Sequence, residues 1–346
     1  MITQKELAKI LGVSQVTVSA ILRNGPLAEH YRPELRRKVL ETAAKLGYSR
    51  NEIACAIRNK KSNVIGFVTQ AIDNGYAASM LQGIVDAAAK RSYLVKTFSV
   101  FRGEKPSSDI FQLSGNYIAD QCIGQRMMGL ICYDIVYPSI LKVLSDRLNQ
   151  SGIPLVLAGG VKLDFDLTCL GVYSDMKQAG ELLAEYVYKL QHKRIALVGE
   201  YSWAPHTQSL LKSFMESAKK NGFEEKNIDN LISENAFDFR KIEKKLIEFR
   251  PTGIFCTSDF VALNVINSLI NKGYKIPEDF SVIGYGNLFF SRWNVPSITS
   301  IEQNLYDIGY RAADLLLDHG CTPIKEQQEE YVTHTLVERN SSAVWK

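Results

Sequence analysis

From Val64 onward, short uninterrupted apolar runs alternate with amphipathic stretches, and few folds can satisfy that alternation. The apolar runs are Val64–Thr69, Leu94–Val100, Met128–Asp134, Pro154–Gly159, Ile195–Gly199, Gly253–Ser258 and Ser281–Gly286. Helical patterns fill the gaps, for example Ala77–Arg91, Ser174–Leu190, Thr207–Asn221 and Asp259–Lys272. A strand that is apolar throughout needs cover on both faces, and strand–helix repetition supplies it in a parallel sheet. Repetition sustained over residues 64–286 predicts an α/β body with two such sheets. Folds of this class bind ligands in the crevice beyond the carboxyl ends of their strands. The loops after Thr69, Asp134, Gly199, Ser258 and Gly286 are therefore the expected pocket.

The first 48 residues follow a different grammar. Thr3 and Glu6 have capping-box spacing, and Leu7, Ala8 and Leu11 give the helix behind them one apolar face. Gly12 suits a left-handed helix stop, and Ser14 can cap a second helix with Val18, Ile21 and Leu22 as its buried stripe. Capped helix, glycine turn and capped helix spell a helix-turn-helix, whose second helix enters a major groove. Pro33 opens a third helix to about Leu46, with Leu35, Val39, Ala43 and Leu46 facing in and Arg36, Arg37 and Lys45 facing out. Residues 49–62 follow as a helix of about two turns begun at Asn51, too short to be stable without a partner.

Charge separates the two regions. Residues 1–62 hold twelve Lys or Arg against five acids, a net +7, whereas the remaining 284 residues hold 29 basic and 32 acidic groups. A basic module attached to a slightly acidic body is the footprint of phosphate binding. A length of 346 residues suits a small module plus a larger body, and 46% hydrophobic residues suffice for a sizeable core. No apolar stretch approaches twenty residues and no basic-then-apolar leader opens the chain, so no membrane partner is expected. Cys55, Cys122, Cys132, Cys169, Cys256 and Cys321 lie far apart, several within strand-like runs, and read as buried free thiols. Neither CxxC nor paired histidines occur, so no metal and no cofactor are expected. There is also no G-x-x-x-x-G-K-[ST] loop, no G-x-G-x-x-G after the first body strand and no G-x-S-x-G elbow to suggest an enzyme. A solute-binding protein of the transport type would share the body, but would need an export leader and no basic head.

This succession resembles the LacI/GalR family of bacterial transcription regulators across essentially the whole chain. The likeness rests on Leu7-Ala8, Gly12-Val13-Ser14 and Thr17-Val18-Ser19 in the head, and on Val39 to Tyr48 in the third helix. In the body it rests on Ile65-Gly66, Gly152-Ile153-Pro154, His192 to Ala196, Ile276 to Tyr285 and Pro296 to Ile301. The resemblance implies a helix-turn-helix domain over 1–48, a hinge helix and linker over 49–62, and a periplasmic-binding-protein-like body over 63–346. In that body the chain crosses three times between subdomains of about 63–160 with 294–325, and about 161–293 with 326–346. It also implies a cytoplasmic homodimer that binds a near-palindromic double-stranded DNA operator, most simply as a repressor, under control of a small-molecule effector such as a sugar. Control by a protein co-regulator, or no ligand, is the alternative.

Residue by residue, the resemblance puts base reading on Gln15, Val16 and Ala20, where Gln can bond an adenine edge and Val or Ala can meet a thymine methyl. Phosphate contacts fall to Thr3, Ser14, Thr17, Ser19 and Arg23. The minor-groove hinge falls on Asn51, Ala54, Ile57 and Arg58, with Ile57 as the wedge between bases. Arg50 and Cys55 depart from the usual hinge residues. For the effector the resemblance points to Tyr76 and to Asp259, which can equally be a helix N-cap; Asp134 and Asn287 are candidates by their place after strand ends, with Trp203 and Tyr133 as stacking surface. Two departures matter here. Leu210 stands where the family's clamping Arg falls, and Gly286 where its acid falls. An Arg–Asp sugar clamp is therefore not expected, and a more apolar or aromatic effector, a protein co-regulator or no ligand at all are the options.

Overall fold

The computed structural model describes residues 2–23, 26–49, 56, 61–73, 75–100, 108–135, 137–164, 166–235 and 238–346. The chain forms two compact units, Met1–Ser62 and Asn63–Lys346. The hinge residues Asn51, Ala54, Ile57 and Arg58 lie outside the described residues.

In the first unit, helices α1 (Gln4–Leu11), α2 (Gln15–Arg23) and α3 (Pro33–Lys45) close on one small core. The capping box forms: Glu6 N donates to Thr3 Oγ1 at 3.2 Å and Thr3 N to Glu6 Oε2 at 2.8 Å. These bonds to Thr3 hold the Glu6 carboxyl below its usual pKa. Gly12 takes φ 66° and ends α1, and Ser14 Oγ accepts from Thr17 N at 3.0 Å to start α2. Leu7, Val18, Ile21 and Val39 are almost wholly buried, and Ala28 joins them from a 3-10 turn, Pro26–His30. The expected inner stripe of α3 needs one correction. Leu46 is 40% exposed, because the chain turns at Gly47 and carries Tyr48 back onto the core in its place. The Tyr48 hydroxyl there accepts from Gln4 Nε2 at 2.9 Å.

The second unit contains two six-stranded sheets. The first builds from β1 (Val64–Thr69), β2 (Leu94–Ser99), β3 (Leu130–Tyr133), β4 (Leu155–Ala158), β5 (Leu170–Ser174) and β11 (Glu329–Val332). The second builds from β6 (Ile195–Gly199), β7 (Ile228–Ile232), β8 (Gly253–Cys256), β9 (Ser281–Tyr285), β10 (Thr299–Glu302) and β12 (Thr335–Val337). Their orders are β11-β5-β4-β3-β1-β2 and β12-β10-β9-β8-β6-β7, and every pairing is parallel except β10 with β12. Each sheet is flanked by apolar clusters that also take in its helices, as strands apolar on both sides require. The helices of this unit are α4 (Gly75–Lys90), α5 (Ser108–Gly124), α6 (Pro138–Gln150), α7 (Met176–Lys189), α8 (Pro205–Lys220), α9 (Phe239–Phe249), α10 (Asp259–Asn271) and α11 (Leu305–His319), and on the first sheet α4 and α11 pack face to face. A Cβ at Gly83 would collide with the Tyr306 carbonyl and one at Gly309 with the Met80 carbonyl, so two glycines set that close approach.

The chain passes from one sheet to the other three times: after β5, between β10 and α11, and between β11 and β12. The subdomain boundaries expected at about 160, 293 and 325 fall too early. The strands β5 and β11 belong to the first sheet, and β10 to the second. The reason is local chemistry. The strand β10 opens on Thr299 and Ser300, both fully buried and bonded, and β11 is the charged edge run Glu329-Glu330-Tyr331-Val332, so neither carries an apolar strand signature. The crossings are tied to one another. His334 N donates to Gln178 Oε1 at 2.8 Å, Asp175 N to the Val332 carbonyl at 2.9 Å, and Asn304 Nδ2 to the Thr333 carbonyl at 2.8 Å.

Cys122, Cys132, Cys169 and Cys256 are buried free thiols and Cys321 a half-buried one. Burial pushes the Cys122 thiol up to about 12 and Cys169 to about 11, which leaves both inert at neutral pH. Among the described residues no helix is long and apolar enough to cross a membrane.

Candidate functional site

The head offers one face to a partner. The buried stripe of α2 points inward, while Gln15 is exposed and Val16 is 74% exposed at the amino end of the helix. Ala20 is half-buried one turn further on. An apolar β-branched residue so exposed at a helix start contributes nothing to the fold's core. No acid occupies the first turn of α2, so its amide dipoles remain open to an anion. Ser14 and Thr17 hydroxyls lie 2.9 Å apart beside that terminus, Thr3 is exposed, and Ser19 is half-buried. Ser14 therefore caps the helix and stands at the surface together. Arg23 ends α2.

In the body, a cleft of about 290 Å³ opens between the two sheets at the carboxyl ends of their strands. The ends of β3, β4, β6, β8 and β9 contribute Asp134, Gly159, Glu200, Ser258 and Tyr285. The turn before α4 is absent from the described residues at position 74, but Tyr76 at the start of α4 reaches the cleft. Its hydroxyl donates to the Tyr285 carbonyl at 3.0 Å, so one side chain joins the first sheet's layer to the second sheet. Burial, with the Asp259 carboxylate nearby, raises the Tyr76 phenol well above its usual pKa and keeps it a neutral donor. The same ring lies over Gly286, which has φ 118°. A Cβ there would come within 2.8 Å of the Tyr76 hydroxyl, so the ring fills the space an acid at 286 would need.

The expected effector residues separate into two groups. Tyr76 and Asp134 line the cleft, with Tyr133 beside them. Asp134 holds φ 56°, a left-handed conformation that Asp tolerates better than most residues. Asp259, Asn287 and Trp203 do not line it. Asp259 is fully buried and accepts from Leu288 N at 2.6 Å and from Ser291 Oγ and Ser300 Oγ at 2.7 Å each. Burial raises its pKa while those three bonds and Arg339 pull it back down. It is a structural knot between α10 (Asp259–Asn271), β10 and the loop after β9, and Ser258 is the residue that caps α10, accepting from Val261 N at 3.2 Å. Asn287 is held by Arg339 and borders a separate groove of about 550 Å³ behind Tyr76. Trp203 stands 53% exposed, donates to the Glu234 carbonyl at 3.1 Å and packs edge-on against Tyr201, which does line the cleft. Leu210 is core.

Sequence reasoning missed Tyr173, Glu200, His206 and Gln303, all of which line the cleft. Glu200 was within reach of it, since it directly follows the apolar run Ile195–Gly199. Tyr173 was not, because β5 went unread. Burial holds His206 below its usual pKa, so it faces the cleft as neutral imidazole. Among the described residues no group of acids, histidines and cysteines could hold a metal ion.

Comparison with known proteins fits both halves. Residues 184–342 match the periplasmic binding protein-like domain family. Catabolite control protein A of Priestia megaterium is 28% identical over 322 residues, covering 91% of each chain. The HTH-type transcriptional repressor PurR of Mannheimia succiniciproducens is 26% identical over 323 residues, covering 92% of each. Among solved structures, a Lac repressor dimer bound to operator and the anti-inducer ONPF superposes with a TM-score of 0.78 at 19% identity, covering 99% of both chains.

Proposed function

We propose that the chain is a transcriptional regulator of the LacI family, a cytoplasmic, homodimeric repressor of a near-palindromic operator, controlled by a small molecule in the body cleft. The observation that carries the reading is the amino end of α2, where exposed Gln15 and Val16 sit on a module of net charge +7. In a major groove Gln15 would bond a base edge and Val16 would meet a thymine methyl, while Thr3, Ser14, Thr17, Ser19 and Arg23 would hold phosphates. Asn51, Ala54, Ile57 and Arg58 would form the minor-groove hinge.

Pairing of two copies is supported by an aromatic patch on the second subdomain. Phe289 is 61%, Trp293 68% and Val295 84% exposed, with Phe260 and Phe290 alongside. So much contiguous apolar surface on a folded body marks an interface. Effector control follows from the three crossings, since a ligand that prefers one relation of the two sheets shifts the population toward it. It can change DNA affinity only by its differential affinity for the two states.

Selection of bound duplexes from a random pool tests the reading. A palindromic consensus with two half-sites, and a complex containing two chains in sedimentation, are the expected results. A monomer with no preference among duplexes at low salt overturns it.

A further inference from the structure

The charged side chains that line the cleft are acidic. Asp134 and Glu200 line it, no Lys or Arg does among the described residues, and His206 is neutral. Five tyrosines also line it, with Tyr76, Tyr133, Tyr173 and Tyr201 drawn from four different elements or loops and Tyr285 from β9. Tyr133 and Tyr173 are each more than nine-tenths buried, and their hydroxyls have no hydrogen-bond partner among the described residues. Carboxylates and phenol oxygens accept hydrogen bonds, whereas an ammonium only donates. Ring faces attract cations, most strongly where water is excluded, and a crevice lined by one sign of charge concentrates the opposite sign.

We infer that the cleft takes a small organic cation, an amine or ammonium compound, with its charge between Asp134 and Glu200 and its apolar part on the tyrosine rings. This rests on the cleft being the effector pocket, and it names the class of effector. The volume of about 290 Å³ sits at the small end of ligand pockets and limits the guest to roughly the size of a diamine or one amino sugar.

The test is calorimetric titration of the full chain with putrescine, choline and glucosamine, with glucose and inorganic phosphate as neutral and anionic probes. At least one amine should saturate with Kd below about 1 mM. Glu200→Gln and Asp134→Asn should each weaken it by about tenfold or more, and Asn tolerates the left-handed backbone at 134. Choline against putrescine separates a quaternary from a protonated amine. Failure of all three amines to saturate, tighter binding of glucose or phosphate, or an unweakened folded double variant would each overturn the inference. Titration of the same protein with duplexes from the random pool separates the two claims. Retained duplex preference without amine binding sinks only the ligand class, and lost preference sinks the regulator itself.

Discussion

The head and the cleft use polar residues in opposite ways. In the head, Gln15 and Val16 are exposed, so both could change without disturbing Leu7, Val18 or Ile21. In the body, polar groups at strand ends serve the fold first. Asp259 and Asn287 look like ligand residues by position, yet one knots three donors and the other is held by Arg339. The contrast follows from where the partner lies. A duplex is read by what protrudes, whereas a cleft between two sheets is bounded by the same turns that tie strands to helices.

The strongest attack on this contrast is Asp259→Ala. It leaves three buried donors without an acceptor and should cost about 4 kcal/mol of body stability in urea unfolding. Loss of cleft binding with stability unchanged would instead make Asp259 a ligand residue. Next comes acid. Burial depresses His334 and His192 to about 4 from the usual 6.5, and Asp175 only partly offsets the effect at His334. The unfolded state therefore binds these protons first. The stability they contribute is full above pH 6.5 and is lost as pH falls toward 4, on the order of 3 kcal/mol for each. His334→Asn should flatten that window in pH-dependent unfolding, and an unaltered slope would mean that other groups carry it. The Tyr285 hydroxyl 2.9 Å from His334 Nε2 places this titration at the third crossing.

In the head, Gln15→Ala should cost about 1–3 kcal/mol at its own base pair and leave stability alone. Equal loss on selected and random duplexes would reduce Gln15 to a nonspecific contact. Smallest is Thr3→Ala, which removes the cap acceptor of α1 and should cost about 1 kcal/mol, read as faster hydrogen exchange at the Glu6 amide.

Legibility in the sequence tracks the range of the interactions. The capping box, the stop at Gly12 and the stripe of α2 are set by residues three or four apart, and each could be read along the chain. Six of the seven apolar runs were equally plain, because central parallel strands are buried on both faces, whereas the run from Leu94 became the edge strand β2 and is largely exposed. What escaped was β5, β7 and the edge and crossing strands β10, β11 and β12. In β10 the polar residues are satisfied by partners far away in the chain, as Thr299 is by Ser341 and Arg339. At the site, Tyr76 and Asp134 were legible from position and Glu200 was within reach, but Tyr173 emerged only when the strand ends met.

By itself, then, the order of residues determined a basic three-helix module, an α/β body and which side chains of α2 face outward. These depend on helix period, strand burial and caps, all decided within a few residues. Only the tertiary structure decided where the chain changes sheets, that the Tyr76 ring fills the space above Gly286, and that Asp259 is consumed by the fold. Those outcomes depend on contacts between segments as far as 209 residues apart, such as Tyr76 with Tyr285, and no local pattern encodes which distant partner a side chain will meet.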